Sequence, residues 1–116
     1  MSLNLTPEIL RAAYDFLCTT QPFSRWNMPD GEDVRFYVIR NRHVHGWYQK
    51  SPHAHEIAIS SATVGHTAVL MTTMAHEMIH LHEKHNSVQG HGEHSAAFKK
   101  YAERVSKIHG FDPKAF

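Results

Sequence analysis

Ala75-His76-Glu77-Met78-Ile79-His80-Leu81-His82-Glu83-Lys84-His85 decides how the rest of the chain is read. It contains H-E-x-x-H at His76, Glu77 and His80. On a helix, residues four apart leave the same face. Two neutral imidazoles so placed can hold two corners of a tetrahedral zinc ion (Zn2+). Glu77 is turned by about 100° from His76. It therefore stands beside the ion without ligating it, where a general base belongs. Twelve of the 116 residues are histidine, so the motif needs support from its flanks and from a third ligand.

Downstream, Ser95 reads as the cap of a last helix from Ala96 to about His109, which Gly110 ends. Phe98, Tyr101, Ala102, Val105 and Ile108 form its apolar stripe. Projected backwards, the stripe meets His94 rather than Glu93. The expected metal ligands are therefore His76, His80 and His94, with His91 as the rival to His94. Three protein ligands and one open position mark a catalytic rather than a closed structural zinc site. His82 and His85 read as solvated residues or as donors behind the ligands. His53, His55 and His66 read as surface residues, and His43 and His45 receive no assignment.

Upstream, Thr6-Pro7-Glu8 is a helix start, and Ile9, Leu10, Ala13, Phe16 and Leu17 carry a helix to about Thr19. Cys18, near its end, reads as a small buried hydrophobe. Pro22, Pro29 and Asp30-Gly31 mark a connection that Phe23 and Trp26 pack down. Val34–Arg40, His43–Gln49 and His55–Ser60 alternate as strands, with Asn41-Arg42 as a hairpin turn. Gly46 marks a bulge or a close backbone approach. The long helix is expected from about His66 to His85, capped by Thr63 or a neighbour. The predicted fold class is α+β: an N-terminal helix, a three-stranded antiparallel sheet, the long helix carrying the motif, and a C-terminal helix.

A chain of 116 residues fits a single domain, here residues 1–116. The formal net charge of +1 neither favours nor excludes nucleic acid. One cysteine excludes an internal disulfide framework and a cysteine-based zinc ribbon. No apolar run has signal-peptide or membrane-span length, so the expectation is a cytoplasmic protein with no membrane partner.

His76–His80, followed by Gly90-His91-Gly92-Glu93-His94-Ser95-Ala96-Ala97-Phe98, resembles the SprT-like (Spartan-type) zinc metallopeptidase domains. Their pattern is H-E-x-x-H, a glycine-rich loop, then a histidine with phenylalanine four residues later, which His94 and Phe98 match. The resemblance covers roughly 37–108, and Gly110-Phe111-Asp112-Pro113 looks like the ending of short phage- or prophage-type members. It implies a zincin-like minimal domain, a protein or peptide substrate, and a strand like His55–Ser60 lying at the sheet edge above the zinc. The metzincin pattern fails, because its glycine and histidine positions hold Glu83 and Asn86.

The expected activity is zinc-dependent hydrolysis of a peptide bond with Glu77 as general base. Tyr48, His91 or another residue of the Gly90–Glu93 loop would steady the oxyanion, while Tyr101 lies about 10 Å along the helix and reads as core. The alternatives are a metal-holding scaffold or interaction protein without turnover, and a DNA-associated protein of SprT type. The last would use Arg35, Arg40, Arg42 and Lys50 with Lys99, Lys100, Arg104 and Lys107, charges that otherwise form solvated faces.

Overall fold

In a computed structural model, which describes residues 4–88 and 95–116, three helices pack with a three-stranded sheet in the order α1–β1–β2–β3–α2–α3. α1 is Pro7–Cys18, β1 Val34–Ile39, β2 Gly46–Lys50, β3 His55–Ser60, α2 Thr67–His85 and α3 Ala96–His109. The helix boundaries follow from local chemistry. Thr6 caps α1 by accepting from the Ile9 N–H at 3.2 Å. Ser95 caps α3 by accepting from the Phe98 N–H at 3.1 Å. Gly110 closes α3 in the left-handed conformation, φ 74°, which a side chain would disfavour. α2 starts differently from expectation. His66 is its cap and makes no side-chain capping bond, while the Thr63 hydroxyl donates to the Val44 carbonyl at 2.9 Å.

The sheet corrects the sequence reading. Its order is β1-β3-β2, with β1 parallel and β2 antiparallel to β3, so it is mixed rather than antiparallel. Asn41-Arg42 is not a hairpin turn. The Asn41 N–H donates to Ser60 Oγ at 3.0 Å, and that hydroxyl donates back to the Asn41 carbonyl at 2.6 Å. Asn41 Oδ1 also accepts from the His43 N–H at 2.8 Å, which turns the chain across the end of β3. The true hairpin joins β2 to β3 through Ser51–Ala54, closed by Ser51 N–H to the Ala54 carbonyl at 2.9 Å.

β3 takes the centre because all six of its residues are buried. Strands covered on both faces are usually interior ones. β1 and β2 carry exposed polar residues, Arg35 in one and Gln49 and Lys50 in the other, which suit edges. From the two edge strands, Tyr37 Oη and Gln49 Nε2 both donate to the Glu56 carboxylate of β3, at 3.4 and 2.6 Å. Gly46 is the close approach the sequence suggested. A Cβ there would run into the Ala58 carbonyl.

α2 is the hub. It packs against α1, α3, β2 and β3, and its buried residues run almost all the way round it. Leu10, Tyr14, Leu17, Ile57, Ile59, Met74, Met78, Ile79, Phe98 and Val105 form the core around it. Phe23 is buried, and Trp26 packs on it edge-on at 5.1 Å, so the α1–β1 connection is held down as expected. Cys18 is half-buried, and burial pushes its thiol up to about 11. Of the α3 stripe, Phe98, Ala102 and Val105 are buried, but Ile108 is 45% exposed because α2 ends before reaching it.

Candidate metal centre

The spacing of the motif works as the helix predicts. His76 and His80 leave one face of α2 with ring centroids 5.1 Å apart. Glu77, between them in sequence, is 6% exposed. One ligand atom from each of His76, Glu77 and His80 lies within 4.8 Å of the other two. The two imidazoles are donors of the type zinc takes, and the Glu77 carboxylate lies close enough to stand beside an ion that they held. His94 and His91 lie outside the described residues, so the third ligand rests on the sequence.

α3 reaches this site through Phe98. Its ring stacks on His80 at 4.4 Å and 20°, and meets His76 edge-on at 5.0 Å. The other side of His76 carries Phe116, stacked at 5.6 Å and 21°. The aromatic rings thus fix both imidazole planes before any ion arrives. Glu83, one turn beyond His80 and fully buried, has Oε1 4.0 Å from His80 Nδ1. That is too long for a hydrogen bond, but it sets the Glu83 carboxyl group beside the His80 ring.

A cleft of about 220 Å³ opens beside the pair. Thr73, His76 and Glu77 of α2 form one wall, Val44, His45 and Gly46 the other, and Ala115 closes an end. Of the strands, β2 is the one that reaches this cleft, through Gly46 at its start. β3, the strand matched to that role by sequence, is interior. His45 is the functional candidate that sequence reasoning left unassigned. Only the β2–α2 packing separates it from His43, which is equally exposed.

Three other expectations change. Tyr48 does not serve the cleft: its Oη lies 2.7 Å from His55 Nδ1, and its ring stacks on that imidazole. His55 is not a surface residue. It is 7% exposed, and its Nε2 lies 3.3 Å from His85 Nδ1. His82 is buried too, stacked on Trp26 at 4.2 Å, with Asn86 Nδ2 2.9 Å from its Nδ1. Tyr101 stands edge-on to both rings of that pair, a packing role as read from sequence. Burial pushes the His82 imidazole down to about 4.

Burial first, then the neighbouring His85 and Lys50, push His55 down to about 4 from 6.5. A lowered folded pKa means that the unfolded chain binds this proton first. Stability from His55 is whole above pH 6.5 and is lost as pH falls towards 4. Discounted for partial solvent access, the loss is about 1–2 kcal/mol. Urea unfolding at pH 7 and pH 4.5 should show a decrease that contains this loss, and His55→Gln should shrink the decrease by that amount, leaving the share of His82. Equal pH slopes in the two proteins would contradict the assignment.

Among the described residues, no helix is long and apolar enough to cross a membrane. Comparison with curated proteins finds no match to this chain. A family model, that of the SprT-like family, matches residues 17–115. That span takes in the end of α1, the whole sheet, the motif helix and the last helix that backs it, so the chain belongs to the SprT-like family.

Proposed function

We propose that this protein is a zinc-dependent metalloendopeptidase acting on a protein or peptide substrate. The observation that carries the reading is the convergence of His76, Glu77 and His80 within 4.8 Å beside a cleft that borders an edge strand. His76 and His80, with His94 from the sequence just before α3, would hold the ion. When bound, zinc lowers the pKa of a water and polarises a carbonyl. Glu77 accepts the proton of the attacking water at its carboxylate and delivers it to the leaving amine nitrogen. Its burial keeps bulk water from competing for that proton.

β2 orients the substrate. An edge strand presents backbone N–H and C=O groups to which an extended peptide can add. Such pairing lays the scissile bond along the cleft towards Glu77. His45, at the head of β2, is the side chain across the cleft best placed to steady a developing oxyanion.

The test is metal dependence. Purified protein should carry one equivalent of zinc and cleave members of a peptide library. Chelation should abolish cleavage, lowering it at least about 100-fold, and one equivalent of zinc should restore it. Cleavage indifferent to chelation would exclude this reading.

A further inference from the structure

The segment Phe111–Phe116 has no part in the chemistry above, yet it lies against the centre. Gly110 turns it out of α3 at φ 74°. Phe111 stacks on His109 at 5.3 Å. Asp112 caps the short turn Pro113–Ala115, accepting from the Lys114 N–H at 3.0 Å. That turn puts Ala115 into the cleft that Glu77 lines, and lays the Phe116 ring flat on His76. Pro113, Lys114 and Ala115 are exposed, while Phe116 is half-buried. The segment is therefore anchored by its aromatic ring at the site itself.

A peptide added along β2 towards Glu77 must set a side chain against the same face of His76. That position already holds a ring. The geometry points to Phe111–Phe116 as a resident occupant of the cleft, and to the His76 face as a subsite for an aromatic or large apolar substrate side chain. This rests on the peptidase reading of the cleft.

The occupant can leave. A cavity of about 480 Å³ lies between Phe116, Pro113, Phe98 and Ala102. Phe111 and Phe116 pack against the core as partly buried residues, so lifting the segment exposes two rings without opening the core itself. Gly110 is a natural pivot, since its left-handed conformation carries no side chain that must be rearranged. Substrate and segment then compete. The apparent affinity for a ligand at this subsite is scaled by the fraction of molecules in which the segment is open.

The experiment compares two zinc ligands on the full zinc-loaded chain by calorimetry. Acetohydroxamate needs the ion alone, while N-acetyl-phenylalanine hydroxamate also needs the subsite. Phe116→Ala should bind the aromatic probe about tenfold tighter than the wild type, and acetohydroxamate within about twofold. Asp112→Ala, which loosens the turn without touching the cleft, should tighten the aromatic probe about threefold. Equal affinity of the aromatic probe for all three proteins would overturn the proposal, as would a common shift for both probes. Peptide cleavage followed in parallel separates the two readings. Tightening without any cleavage keeps the occupant and removes the peptidase. Cleavage without tightening does the reverse.

Discussion

Glu77→Gln is expected to lower peptide cleavage about 1,000-fold while leaving zinc content and melting temperature unchanged. The reason is chemical, not structural. Glutamine has the same shape and fits the buried place of Glu77 between the two histidines. Its amide cannot accept a proton from water, so only the acid–base contribution is removed. That contribution is typically 100- to 10,000-fold, and the middle of the range equals about 4 kcal/mol of barrier. kcat should carry the loss, with KM little altered, because the proposed substrate pairing lies along β2 and does not involve Glu77. A variant that binds zinc and still cleaves at the wild-type rate would remove Glu77 from the mechanism.

Phe98→Ala is expected to have the largest effect on stability, about 3–5 kcal/mol in urea unfolding. Phe98 is among the largest fully buried side chains, and it joins α3 to α2. A second effect distinguishes it from an ordinary core residue. Its ring backs His80 at 4.4 Å and His76 at 5.0 Å, so its loss frees the His80 plane and leaves His76 held by Phe116 on one side alone. Zinc affinity should fall about 10- to 100-fold, the range seen when groups supporting metal ligands are lost. Phe98→Leu should recover much of the stability but less of the affinity, because it fills volume without a flat ring. Affinity that tracks stability in both variants would reduce Phe98 to packing alone.

Phe98 therefore links core and site, and the same link explains the stripe of α3. The periodicity that made Phe98 a core residue in the sequence also sets its ring against the motif histidines. The stripe does not show how two histidine planes are held, since stacking depends on where α2 and α3 cross. The contact of Phe116 with His76 was beyond reach for the same reason. Forty residues of sequence separate them, and only the turn after Gly110 brings them together.

What the chain spells out by itself is local. Caps at Thr6 and Ser95, the stop at Gly110 and the i, i+4 histidine pair all depend on residues within a turn or two, and each stands where it was read, while the helical stripes fail at Phe16 and Ile108, which are exposed. Strand positions were legible for the same reason, because alternation is a local pattern. Strand neighbours were not. Which strand lies inside depends on whose two faces find cover, and β3 finds it through Tyr37, Gln49 and the Ser60–Asn41 exchange. Histidine burial is likewise non-local: His55 and His82 look like polar surface residues until Tyr48 and Trp26 fold over them. Local hydrogen bonding and periodicity are written along the chain, whereas burial is a property of the partners that tertiary packing brings.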